Sequence, residues 1–224
     1  MPYRWLLIFW CFAGLTSEPL VAHAQQQADH LHPMTGYFNA TSPAYYAKVR
    51  ETLFAEFATA PLLGAVVCPS FEPEYALFVT QKPGKHMLTH RNCQTNIWYA
   101  GHFAYAKPRK SHPVAVTTKT VEVNQVLVAA LRHAFGAAIA QTRYPEPAYS
   151  LRSDGTTYTF VAFIEGVGTA GGQTWSPSAG TNMGALVDLV ANLKKLVDAP
   201  TEQAQTALMQ QAQQLVKRFA DKKE

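Results

Sequence analysis

The sequence predicts a single α+β domain, a mainly antiparallel sheet with packed helices, following a signal peptide. Three observations predict it. Short β-branched and aromatic runs lie beside the turn dipeptides Pro83-Gly84 and Asp154-Gly155, as hairpins require. Longer segments near 125–143, 183–198 and 201–221 carry apolar residues at helical spacing. Strands and helices do not alternate in the βαβ order of a parallel sheet. Composition agrees: 48% hydrophobic residues can build a core, and 15% charged residues are too few for a charged coiled coil. A net charge of +4 is mildly basic, so no nucleic-acid partner is expected.

Residues 1–24 have the parts of a secretory leader: Arg4, the apolar run Trp5 to Leu15, and a polar tail ending Ala22-His23-Ala24. Eleven apolar residues would cover about 16 Å of a ~30 Å hydrocarbon core, too short to span it. Cys11 lies inside the run without the small residues a lipid anchor needs. Removing the leader takes one base (Arg4) and one acid (Glu18), so the charge is unchanged. No later stretch is apolar enough to span a membrane, so the mature chain is expected in the periplasm or secreted, with no transmembrane segment.

Residues 25–41 are polar and read as a flexible arm, with a sequon at Asn39-Ala40-Thr41. The domain is drawn over 42–224. Ser42-Pro43 starts a helix over 43–59, and Pro61 stops it. Residues 63–69 suit a short strand. Strands over 75–82 and 85–92 flank the Pro83-Gly84 turn; in the simplest register Val79 faces Leu88 and Leu77 faces His90. Residues 96–104 are weakly strand-like, 108–113 a loop, and 114–123 a β-branched strand. Asn124 caps a helix over 125–143 with Leu127, Leu131, Phe135, Ala138 and Ile139 inward. Asp154-Gly155 joins a short strand near 148–152 to a long one at 156–164. Residues 165–182 read as a Gly-rich loop. Helices follow at 183–198 and 201–221, the last with Ala204, Leu208, Leu215 and Phe219 on one face.

Cys68 and Cys93 are the cysteines beyond the leader. An even count in an oxidising compartment favours a disulfide over free thiols or metal ligation, and a 25-residue spacing would give on the order of 3 kcal/mol. Gly166-Val-Gly168-Thr-Ala-Gly171 spells a dinucleotide fingerprint, but Pro177 and further loop residues follow where a helix must open, so a flexible loop is the better reading and no cofactor is expected. The same loop holds Trp175, either a lid folded on the core or a binding anchor. His86 and His90 share one strand face and are weak metal candidates. They stand about 13 Å apart on an extended strand, with Cys93 on the opposite face. Glu72 and Glu74, split by Pro73, could form a glycosidase pair but read as solvated loop acids. Lys107, Arg109, Lys110 and His112 make a small basic loop. No G-x-S-x-G elbow occurs.

Pro69-Ser-Phe-Glu-Pro-Glu-Tyr75, Asp154-Gly-Thr-Thr-Tyr-Thr-Phe160 and Trp175-Ser-Pro177 resemble uncharacterised exported bacterial proteins, over about residues 65–198. The resemblance implies an envelope or secreted setting and no particular activity. The expectation is a binding protein, more readily non-enzymatic, with an immunity or inhibitor type as its concrete version, whose partner is a protein or an envelope component. The alternatives are an exported hydrolase with a site assembled from distant residues, and a metal-binding envelope protein.

Overall fold

The computed structural model of the chain describes residues 29–34, 43–54, 61–101, 113–144 and 154–221. The expected leader, the sequon, the basic loop and the strand near 148–152 lie outside the described residues.

The central element is a seven-stranded antiparallel sheet. In chain order the strands are β1 (His32–Pro33), β2 (Leu63–Pro69), β3 (Tyr75–Lys82), β4 (Lys85–Cys93), β5 (Val116–Val123), β6 (Thr156–Ile164) and β7 (Gly168–Trp175). In space they run β1-β7-β6-β2-β3-β4-β5. The β3–β4 hairpin has the expected register, with Val79 opposite Leu88 and Leu77 opposite His90. Its turn works as the dipeptide requires: Gly84 sits at φ +75°, where only glycine is unstrained.

Five helices among the described residues cover the sheet: α1 (Pro43–Phe54), α2 (Ile97–Ala100), α3 (Gln125–Ala140), α4 (Asn182–Asp198) and α5 (Glu202–Asp221). The larger core lies between one sheet face and α3 and α4, with α5 packed over those two helices. It uses alternate strand residues (Leu63, Ala65, Val67, Leu77, Val79, Leu88, Phe160) and the apolar stripes of the helices. All five inward residues expected on α3 are buried. On α5, Leu208, Leu215 and Phe219 are buried as expected, together with Ala212, while Ala204 is half-buried. A second core, under α1 and α2, takes the opposite parity: Ala76, Phe78 and Cys93, with Tyr45, Val49, Leu53 and Ile97 from the helices. Among the described residues no helix is long and apolar enough to cross a membrane.

The helix starts follow simple capping chemistry. Asn124 Oδ1 accepts from the Leu127 N–H (2.8 Å), and Thr181 Oγ1 accepts from Gly184 (2.9 Å). Asn96 does the same for α2, accepting from Tyr99.

Four expectations are corrected. Residues 97–100 are a helical turn rather than strand, because Asn96 caps them and Gly101 closes them. The middle of the expected loop 165–182 is strand: β7 (Gly168–Trp175) pairs with β6 along its whole length, so the hairpin partner of β6 is β7. Gly155 is not the positive-φ glycine of a tight hairpin turn. It is small because the Trp175 indole lies against it; a Cβ there would stand 2.5 Å from the ring. Part of the arm is also ordered. β1 pairs with β7 (His32 with Gln173, Pro33 with Gly172), and Leu31 is fully buried. Asp29 Oδ1 accepts from the Met183 N–H at the start of α4 (2.9 Å).

Candidate functional site

Among the described residues, three places hold chemistry-bearing side chains. The first is a buried knot under α1 and α2. Glu74 is completely buried. Its Oε1 accepts from the Tyr45 hydroxyl (2.8 Å) and its Oε2 from the Ile97 N–H (2.7 Å). The carboxyl group thus ties both helices to the sheet and satisfies an otherwise orphaned amide of α2. The expectation of two solvated acids holds for exposed Glu72 and fails for Glu74, because Glu74 immediately precedes β3 and is turned under the helices.

Cys68 and Cys93 flank this knot, and both are free thiols. The expected disulfide is therefore absent, for a reason of register. Cys93 donates its N–H to the Glu74 carbonyl across β3–β4 (2.9 Å), while Cys68 continues β2 one residue past the Val67–Tyr75 pair. Glu74 stands between them. Two strand spacings are about 10 Å, beyond the roughly 4–7 Å between Cα atoms that a disulfide spans. Burial pushes both thiols up to about 12. Burial likewise raises the Tyr45 hydroxyl, aided by Cys68 and Glu74.

The second place lies between α4 and the sheet. His90 is 7% exposed, points to the α4 side of β4, and meets the Tyr75 ring edge-on at 5.5 Å. Lys194 Nζ stands 4.4 Å over the same ring. The Nε2 of His90 has no hydrogen-bond partner. Desolvation, together with Lys194, lowers the imidazole to about 4, against a smaller opposing pull from Asp198. His86 lies on the same strand face, with Leu88 between the two histidines, and Cys93 belongs to the other face. Among the described residues no three His, Cys, Asp or Glu side chains gather as metal ligands would.

The third place is the sheet end where β2 leaves and β3 enters. Phe71 is 66% exposed. Its two neighbours are clamped. Ser70 accepts from Gly155 N–H through Oγ (3.0 Å) and donates its own N–H to the Gly155 carbonyl (2.9 Å). The Glu72 carbonyl accepts from Asn96 Nδ2 (2.7 Å). Tyr99, 46% exposed, stands on α2, the helix that Asn96 caps. Trp175 is at this end too, half-buried against Gly155, and the next residue, Ser176, takes the unusual φ of +38°. Its Oγ accepts from the Thr156 N–H (2.8 Å), which holds it there.

The expected glycine loop is split by this geometry. Gly166 and Gly168 form the β6–β7 turn at φ +77° and +94°, at the sheet end opposite Phe71. Gly171 lies in β7 with the Phe160 carbonyl 2.6 Å from where a Cβ would be. No helix opens behind these glycines, so the spacing of a dinucleotide fingerprint lacks its phosphate-binding amides. Sequence patterns do not single out Phe71, Tyr99, Tyr45 or Lys194. The usable signal for Phe71 is a lone aromatic inside a Ser-Phe-Glu-Pro turn, where apolar residues have no core to enter.

No family model, curated protein or solved structure matches the chain.

Proposed function

We propose that this is an exported, non-enzymatic binding protein of inhibitor or immunity type, which engages a protein partner through the Phe71–Tyr99 end of the sheet. One observation carries the reading. Phe71 is a large apolar side chain held in water by a loop whose flanking residues are both hydrogen-bonded to neighbouring segments. An aromatic already fixed in place loses little conformational entropy on binding, which is how interface anchors work. Tyr99 adds a second aromatic with a polar tip at the same end. The leader-like residues 1–24 and the resemblance to exported bacterial proteins support an envelope or secreted setting.

The test compares the full chain with a Phe71→Ser/Tyr99→Ser double variant, each immobilised and exposed to envelope extract. The expected result is one protein retained by the wild type at sub-micromolar affinity and lost by the variant, with thermal stability unchanged because both side chains are exposed. Equal retention by the two proteins, or none by either, removes the reading.

A further inference from the structure

We propose that His90 is an acid-sensitive latch on the C-terminal half of α4: when its imidazole takes up a proton, that part of the helix must leave the sheet. The proposal does not depend on the binding surface. Its basis is the arrangement around the ring. From β3, Tyr75 closes one side at 5.5 Å. From β5, Lys119 is the residue directly opposite in register. From α4 come Lys194, over the Tyr75 ring, and Asp198. Among the described residues, these are the charged and titratable groups facing His90: two cations, one phenol and one carboxylate. The carboxylate is already taken, since Lys119 Nζ holds Asp198 Oδ1 at 2.6 Å. That pair lies in solvent and gives the imidazole little.

A proton on His90 therefore makes a third cation, nine-tenths buried, with no acceptor at Nε2. A buried charge without a partner is not tolerated; the ring must reach water, and the element above it is α4. Burial and the neighbouring lysine hold the folded imidazole near 4 rather than 6.5. The sign follows. Between those values the unfolded or opened chain binds the proton and the closed one does not. Closure is therefore fully favoured above about pH 6.5 and progressively lost as the pH falls toward 4. Opening bares Leu193, Leu196 and Val197, which are buried in the closed structure.

The experiment uses the full chain. The His90 imidazole proton is followed by NMR from pH 7.5 to 3.5, alongside the α4 amides and a dye that fluoresces on apolar surface. The expected result is a His90 midpoint near 4, with dye binding rising and the amides of residues 193–198 losing protection over the same range. His90→Phe removes that transition, and Lys194→Met moves the wild-type midpoint upward. A His90 midpoint in the ordinary histidine range overturns the proposal. So does a low midpoint with α4 undisturbed, or a His90→Phe protein that opens at the same pH. Should the phenylalanine variant not fold, the wild-type titration decides alone.

Discussion

Replacing Glu74 separates the physical roles of its carboxyl group. In Glu74→Ala, the Ile97 N–H loses its acceptor and the Tyr45 hydroxyl loses one of its partners, Cys68 remaining beside it, in a region where both residues are buried. The unsatisfied buried amide costs about 1–3 kcal/mol, and the lost tyrosine contact and emptied volume add to it, so a loss of about 2–4 kcal/mol is expected. Glu74→Gln behaves differently. The amide oxygen can still accept from Ile97 N–H, and the amide nitrogen can donate to the Tyr45 oxygen, because a hydroxyl both donates and accepts. Every group keeps a partner, so the expected cost is only about 1 kcal/mol. Urea unfolding measures both values through the midpoint at constant slope. Hydrogen exchange on α1 and α2 amides shows where the loss falls, since the carboxyl joins those two helices to β3. An alanine variant within about 1 kcal/mol of wild type, or a glutamine variant as damaged as the alanine one, would refute the account of Glu74 as a two-donor acceptor.

Other outcomes are expected from the same packing. The Cys68 and Cys93 thiols, pushed up to about 12 by burial, should stay unmodified by a thiol reagent at pH 8 until the protein unfolds. Reductant should leave the melting temperature unchanged; a drop of several degrees would mean that the two sulfurs are joined. Gly172→Ala places a Cβ 2.8 Å from Leu31 Cβ and Thr142 Oγ1 and should destabilise by about 1–3 kcal/mol. Gly136→Ala, inside α3 with nothing within 4 Å of the new methyl, should instead stabilise by about 0.5–1 kcal/mol in thermal melts. Asn124→Ala removes the acceptor for Leu127 N–H and should cost about 1 kcal/mol in the same assay.

The residues disclose whatever local chemistry decides. Pro83-Gly84 sets the hairpin register, and that register alone places Leu77 opposite His90. Asn124 and the 127–131–135–138 spacing fix α3 because capping and amphipathicity act within a few turns. β7 escapes such a reading because three of its eight residues, Gly-Thr-Ala-Gly-Gly-Gln-Thr-Trp, are glycine, which is depleted in strands and hides the alternation. Its glycines answer to distant neighbours, the Phe160 carbonyl for Gly171 and Leu31 with Thr142 for Gly172. The cysteines mislead for a similar reason. Their separation along the chain says nothing of the strand that runs between them, and β3 places Glu74 there. Glu74 itself looks like Glu72 in composition; only the point where the chain enters the sheet distinguishes them. The surface at Phe71 depends on clamps from Gly155 and Asn96, residues far along the chain, which no local pattern reports.

The short segment at residues 29–34 has a practical implication for expression. Its backbone closes one border of the sheet, its leucine plugs the space above Gly172, and its aspartate caps a helix more than 150 residues away. A shortened clone beginning at residue 42, the boundary that composition alone suggests, would leave β7 as a raw edge lined with glycines and open to pairing between molecules. Such a clone should sediment as larger species at concentrations where one retaining residue 29 stays monodisperse.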